Sequence, residues 1–447
     1  MTAPRSRRPV AAEPRDSSGV SGLDEILHGG FPRSHLFLIE GEPGTGKTTL
    51  GLQFLMEGAR QGGRSLYITM SESERELRKI ARSHGWSLEG VTLYQYAPQG
   101  TNLSPEEQYS VFHPSDVEFQ DTTREILTEI KRTNPARVVL DSLSEIRLLA
   151  RDPLRYRRQV LALKQYFSTR ECTVLLLDDR TASVQDIQLE SIAHGVILLE
   201  TVPRDYGKTR RRLQVTKLRG SAFREGYQDF VIQKGGLKTF PRLITGEDHL
   251  PSRKGQVSSG IGALDALWEG GLDRGTAALF MGPAGSGKSS LAFAYAVSAA
   301  CKGEVAAVFQ FEELVSSACN RAASLGLDAK PLIDSGKFHI RKIDPSDLSP
   351  GEFIDLVRNA VEELHAKVIV IDSLNGLLHA MPSEETLSIQ LHQLLTFLNQ
   401  NGSRWAASHS STNSGQLNSW KTTTSPASTP APASPPASRP LSSHSSA

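Results

Sequence analysis

The chain has 447 residues, 38% of them hydrophobic and 22% charged, with a formal net charge of +1 at pH 7. That length predicts two or three domains with ordinary cores, and the charge balance excludes a global field favouring DNA, RNA or anionic membranes. The three cysteines, Cys172, Cys301 and Cys319, form no Cys-x-x-Cys spacing, which argues against a disulfide framework or zinc site and for a reducing cytoplasm, and no apolar run approaches the ~20 residues that cross a bilayer.

Residues 1–16 carry Arg5, Arg7 and Arg8 with no apolar stretch behind them, and read as a disordered arm rather than a secretory signal. From Ser18 the chain reads SGVSGLDEILHGGFPRS, and from Ser259 it reads SGIGALDALWEGGLDRG. Gly19 and Gly260, Asp24 and Asp265, and Gly41 and Gly282 each lie 241 residues apart, which marks a duplicated domain rather than a solenoid. Asp141 and Asp372 match at an offset of 231, so the second copy is shorter inside.

Both copies predict the same element order. Short buried strands at 35–40 and 276–281 run into Gly-rich loops, with helices starting near Lys47 and Lys288. Second strands fall at 64–70 and 304–311, and the runs RVVLD and KVIVID read as central strands buried on both faces. The first copy continues with strands in CTVLLLDD, GVILLE and RRLQVTKLRG. Strands alternating with helical stretches predict α/β domains with mostly parallel central sheets. Residues 235–255 read as the linker. In the second copy the composition changes after the helix ETLSIQLHQLLTFLNQ: residues 403–447 hold 14 serines in 45 positions, too polar to offset their ordering entropy. The expected units are 1–16 (arm), 17–240, 241–256 (linker), 257–402 (second copy, truncated, without its next central strand or late strands) and 403–447 (a disordered Ser/Pro-rich tail).

The chemistry begins with Gly41, Glu42, Pro43, Gly44, Thr45, Gly46, Lys47, Thr48 and Thr49, and again with Gly282, Pro283, Ala284, Gly285, Ser286, Gly287, Lys288, Ser289 and Ser290. Both match GxxxxGK[ST] between a strand and a helix. Glycines let backbone N–H groups wrap phosphate oxygens, and the helix N-terminus adds positive potential. Lys47 and Lys288 are placed to reach the β- and γ-phosphates of ATP, and Thr48 and Ser289 to offer hydroxyls to Mg²⁺. Asp141 and Asp372, ending apolar strands, are the expected carboxylates of the metal shell. A further carboxylate must orient or deprotonate the attacking water; Glu72, Glu312 and Glu313, just after the second strands, supply it. Ser71 stands where Glu312 stands in the second copy. Lys217 and Arg219, on a late strand, are cations of the kind that reach a neighbouring subunit's γ-phosphate.

Together, SGLDEILHGGFPRSHLFLIEGEPGTGKTTLGLQF, its repeat and IDSLNGLLHAMPSEETLSIQLHQLLTFLNQ resemble the KaiC-like ATPases of the RecA superfamily, over roughly residues 17–402. The resemblance implies two tandem RecA-like P-loop NTPase domains, ATP at subunit interfaces, homo-hexameric rings, slow ATPase activity and, in some members, Ser/Thr autophosphorylation. It implies catalysis by Glu72, Glu312 and Glu313, completion of a neighbour's site by Lys217 and Arg219, and signalling partners such as histidine kinases or response regulators. Two departures stand out. Ser71 replaces the first acid of the pair in copy one, and Ser383, Thr386, Ser388 and Thr396 include no adjacent Ser-Thr acceptors. Family members continue after LNQNG with an apolar strand. Reading Ser403 onward one base out of frame restores such a pattern if its serines use TCN codons, so a frameshift near Gly402 is the alternative to a natural tail. A RecA/RadA-like DNA-dependent ATPase and a non-hydrolysing ATP-sensing scaffold are the competing functions; net charge and the lack of an aromatic-interleaved basic patch count against the first.

Overall fold

The computed structural model describes residues 13–96, 115–150, 152–180, 187–203, 207–244, 255–379, 384–401 and 404–410. The first copy runs β1 (Arg15–Asp16), α1 (Leu23–Ile26), β2 (Phe31–Pro32), β3 (Leu36–Gly41), α2 (Lys47–Arg60), β4 (Ser65–Thr69), α3 (Glu74–Ser83), β5 (Val91–Gln95), α4 (Ser115–Thr133), β6 (Arg137–Asp141), α5 (Leu143–Ala150), α6 (Pro153–Ser168), β7 (Thr173–Asp179), α7 (Ile187–Ile192), β8 (Gly195–Val202), β9 (Arg210–Leu218), β10 (Tyr227–Gln233) and β11 (Gly236–Phe240). The second runs β12 (Gln256–Val257), α8 (Gly262–Leu267), β13 (Leu272–Asp273), β14 (Ala277–Gly282), α9 (Lys288–Cys301), β15 (Ala306–Gln310), α10 (Val315–Ser324), α11 (Lys330–Asp334), β16 (Phe338–Lys342), α12 (Pro350–Glu362), β17 (Val368–Asp372), α13 (Leu374–His379), α14 (Glu384–Gln400) and β18 (Arg404–Ser410).

The first sheet has the order β11-β10-β9-β8-β3-β7-β6-β4-β5, and the second has β14-β18-β17-β15-β16. The parallel block β3-β7-β6-β4-β5 thus recurs strand for strand as β14-β18-β17-β15-β16. Alternation along each parallel strand feeds two cores: Phe37 and Ile39 of β3 pack with α2 and α3, while Leu36 and Leu38 pack with α4, α5 and α6. The repeated Ser-Gly-x-x-x-x-Asp motif also has a common cause. Ser17 Oγ and the Ser18 N–H donate to Asp24 at 2.6 and 2.7 Å, and Ser258 Oγ and the Ser259 N–H donate to Asp265 at 2.7 and 2.7 Å. One carboxylate in each copy therefore ties the entry turn to its short helix.

Three expectations are corrected. Arg15 and Asp16 are not part of a disordered arm. They pair with β2, and Asp16 accepts from Arg33 Nε at 2.9 Å and Thr173 Oγ1 at 2.6 Å. Gly236–Phe240 is not linker but a strand paired antiparallel with β10, and Gln53 of α2 binds its other edge: the Leu237 N–H donates to Gln53 Oε1 at 2.8 Å and Gln53 Nε2 donates to Leu237 O at 3.2 Å. The second copy does possess its central strand. β18 lies between β14 and β17, parallel to both, with Ala406 opposite Ala278 and Val370. Its Ser/Ala-rich composition, without the aliphatic run usual in a central parallel strand, hid it. The arm at 1–12, the linker core at 245–254 and the tail at 411–447 lie outside the described residues.

The second sheet is truncated on its β14 side. Among the described residues nothing corresponds to β8–β11, so β14 is an edge. Leu279 is 42% exposed where its counterpart Leu38 is 1% exposed, and Leu267 is 80% exposed where Ile26 is 0%.

The β10–β11 hairpin faces both copies. On one side Ile232 closes over Gly46, whose φ is 108° and where an added Cβ would meet Ile232 Cδ1 at 2.7 Å. On the other it receives α12: Asp229 accepts from the Gly351 N–H at 2.8 Å, and Lys238 donates to Asp355 at 2.9 Å. Arg358 bridges Asp355 of its own helix at 2.8 Å to Glu25 of the first copy at 3.2 Å. Arg358→Ala should loosen this seam by on the order of 1 kcal/mol. Amide exchange should then speed up at 350–362 and 227–240 while the sheet cores stay protected; unchanged exchange there would show that the bridge contributes nothing to docking.

Candidate functional site

The first loop lies between the end of β3 and α2. Gly44 and Gly46 have φ of 80° and 108°, conformations that side chains disfavour, and they turn the backbone around an open cradle. Nothing lies within 4 Å of a Cβ built on Gly44. Lys47, buried at the base of α2, donates to Gly41 O at 2.8 Å and Glu42 O at 2.9 Å and pairs with Asp179 at 2.7 Å. Its ammonium thus closes the loop on itself. Thr48 Oγ1 donates to Asp141 Oδ2 at 3.2 Å, and Tyr67 OH donates to the same oxygen at 2.5 Å. Burial raises the Asp141 carboxyl above its usual range, against the lowering effect of those two donors. A hydroxyl and a carboxylate, both hard oxygen donors beside a phosphate-sized cradle, fit Mg²⁺.

Glu72 follows β4, its turn pinned by Thr69, whose Oγ1 donates to Glu72 O at 2.9 Å and accepts from the Glu72 N–H at 3.0 Å. Its Oε2 is buried with no hydrogen-bond partner. Burial first, then the charges of Asp141 and Glu76, push this carboxyl up to about 6. A buried acceptor left unsatisfied costs free energy, and here it stands on the rim of a concavity lined by Ser71, Glu76 and Lys79.

The second loop repeats the first in outline. Gly285 and Gly287 have φ of 77° and 87°, Lys288 donates to Gly282 O at 2.9 Å and Pro283 O at 2.7 Å, and Ser289 donates to Asp372 at 3.0 Å. The acids differ. Glu312 accepts from Ser373, beside Asp372. Glu313, the counterpart of Glu72, is held by Arg321 at 2.8 Å, and Arg321 also donates to Ser290 at 2.8 Å. Ile80 stands where Arg321 stands, so the first copy has no such cation.

Lys217 and Arg219 are not gathered into their own loop. Lys217 donates to Glu190 O and, at 2.9 Å, to Ala193 O; Arg219 donates to Ser191 O at 2.7 Å, so both cap the last turn of α7. The Arg219 N–H reaches His194 O, and the His194 N–H reaches Leu36 O. They therefore stand level with the start of β3, about 16 Å of strand away from Gly41 at its end.

Sequence reading missed two groups at the first site. Asp179 ends CTVLLLDD, and an acid ending an apolar strand is the same signal that marked Asp141. Register places it opposite Gly41, while Ser410 is opposite Gly282. Tyr67 lies mid-strand, where a tyrosine reads only as a β-former; its role at Asp141 needs three dimensions.

The family model for the KaiC ATPase matches residues 17–243 and 257–404. The chain is 28% identical over 367 residues to the circadian clock oscillator protein KaiC of Picosynechococcus sp., covering 80% of this chain and 70% of that relative. It is 27% identical over 390 residues to the protein of the same name from Synechococcus elongatus, covering 84% and 73%. It is 25% identical over 369 residues to the circadian clock protein KaiC3 of Synechocystis sp., covering 80% and 72%. Among the described residues no helix is long and apolar enough to cross a membrane.

Glu72 should trade stability for readiness. Its carboxyl stands at about 6 in the fold against an ordinary 4.5, so folding disfavours its charged form. The cost is absent below about pH 4.5 and grows as pH rises through 6. In nucleotide-free protein, Glu72→Gln should raise Tm near pH 7.5 and not near pH 4.5. An equal change at both, by calorimetry, contradicts this account.

Proposed function

Because this chain belongs to the KaiC family of RecA-type ATPases, we propose that it hydrolyses ATP at its first loop, within a homo-hexameric ring, and serves cytoplasmic signalling or timing. The observation that carries this reading is Glu72: a carboxylate with a buried, unpartnered oxygen, close enough to feel the charge of Asp141, which itself accepts from Thr48 of the glycine-rich loop. A base titrating near 6 is deprotonated at neutral pH and still able to take a proton.

The residues divide the work. Backbone N–H groups from Gly44 to Thr48 and the N-terminus of α2 receive the phosphates. Lys47 neutralises the β- and γ-phosphates, and Asp179 keeps that ammonium at the loop. Thr48 and Asp141 would hold the metal, and Mg²⁺, when bound, would supply positive charge to the phosphate oxygens. Glu72 accepts the proton of the attacking water as its oxygen bonds to the γ-phosphorus and the bond to ADP breaks. Lys217 and Arg219, too far from their own loop, act on an adjacent protomer's γ-phosphate. The ring follows from that division, since each site is complete only when a neighbour brings its cations.

The second loop binds Mg-ATP through Lys288, Ser289 and Asp372 but turns over poorly. Glu313 is neutralised by Arg321, leaving Glu312 as its available acid. No late strand carries counterparts of Lys217 and Arg219 among the described residues. The relatives' names as circadian clock proteins support the timing role, and signalling proteins such as histidine kinases or response regulators are its proposed recipients. Autokinase activity, if retained, would use Thr386, Ser388 or Thr396 on α14; Ser383 lies outside the described residues.

Two outcomes test this. Lys47→Ala should remove most turnover and Lys288→Ala little; the reverse pattern assigns hydrolysis to the second copy and overturns the proposal. Light scattering should find hexamers with saturating Mg-ATP and smaller species without nucleotide, because ligand held between protomers stabilises the assembly. A monomer under both conditions removes the ring.

A further inference from the structure

Tyr67 is fully buried in the middle of β4, yet it brings a polar atom into the core. Side chains alternate along a strand, so Tyr67 shares a face with Thr69, which lies in register with Asp141 of the adjacent β6. The phenol reaches along that face to Asp141 Oδ2 at 2.5 Å, the oxygen that also accepts from Thr48 at 3.2 Å. A short O–H···O⁻ bond to a carboxylate is among the stronger hydrogen bonds a protein makes. The longer Thr48 bond alone leaves the carboxylate freer to rotate. The second copy provides an internal contrast. The counterpart of Tyr67 is Val308, equally buried and opposite Val370 in register, and its side chain offers no proton to Asp372.

We propose that Tyr67 is a positioning residue for the first site. Its hydroxyl fixes the rotation of Asp141 so that the carboxylate's remaining lone pairs and Thr48 Oγ1 are set for one Mg²⁺ geometry before nucleotide arrives. Partners that orient a metal-binding group commonly govern affinity by 10–100-fold, and Mg²⁺ tolerates a misplaced ligand less than Ca²⁺ does. The first site thus has its carboxylate held by a phenol, where the second has Val308 at the matching position. This rests on the reading that the first loop holds Mg-nucleotide.

The test uses Tyr67→Phe in the full chain carrying Lys288→Ala, so that only the first loop binds. The substitution keeps the ring and removes one oxygen, leaving the packing of β4 in place. Mg²⁺ is titrated calorimetrically into protein holding a non-hydrolysable ATP analogue, and the analogue's own affinity is measured without Mg²⁺. The expected result is Mg²⁺ affinity weakened on the order of tenfold, with metal-free analogue affinity unchanged and Ca²⁺, whose coordination is more forgiving, affected less. Equal Mg²⁺ affinity in the two proteins overturns the role of Tyr67. Equal weakening of metal-free binding makes Tyr67 a packing residue and also overturns it. If the parent protein itself shows no Mg²⁺-dependent binding, the reading of the first loop fails instead, which separates the two claims.

Discussion

The β10–β11 hairpin is the constraint on which the two-copy arrangement depends. Its backbone at Leu237 is tied to Gln53, its Ile232 covers Gly46 of the phosphate loop, and its opposite side carries Asp229 and Lys238 into contact with α12. The element that stiffens the first loop is therefore also the platform on which the second copy rests. From α12 the chain passes directly into β17 and Asp372. Among the described residues the second copy has no equivalent hairpin, and its sequence is consistent with that: the counterpart of Gln53 is Ala294, which has no side-chain amide with which to hold a neighbouring strand.

Much of this was legible in the chain itself. Loops at Gly41 and Gly282, strand-end Asp141 and Asp372 and the duplicated Asp24 and Asp265 all rest on spacing and local periodicity, which survive without knowledge of the fold. What escaped notice depends on register or on the far end of a sheet. Asp179 matters because β7 lies beside β3 with Asp179 opposite Gly41. Tyr67 matters because β4 pairs with β6. β18 was obscured because Arg-Trp-Ala-Ala-Ser-His-Ser lacks the aliphatic run that betrays a central strand, and β11 because Gly235 and Gly236 look like the start of a linker. Lys217 and Arg219 were recognisable as a late cationic pair, but only the topology shows that they stand at the opposite end of β3 from their own loop.

Duplication has left one chain with two sites built from the same frame and tuned apart. In the first, the acid after β4 is unpaired, the strand-end carboxylate carries a phenol and the lysine has a carboxylate partner. In the second, Arg321 compensates Glu313, Val308 replaces the phenol and Ser410 occupies the position of Asp179. Each difference is one side chain within the same strand order.

The open flank of the second sheet has a consequence for the protein as a solute. β14 presents six uncharged residues, Ala-Ala-Leu-Phe-Met-Gly, with one row of backbone donors and acceptors unclaimed by any strand among the described residues, beside the exposed Leu267 and Trp268. No lysine, proline or bulge blunts it, and such an edge is a template for any extended chain that meets it. Such a flank lowers the concentration at which the molecule stays dispersed. This liability for association lies in the second sheet, apart from the strands that carry the first loop.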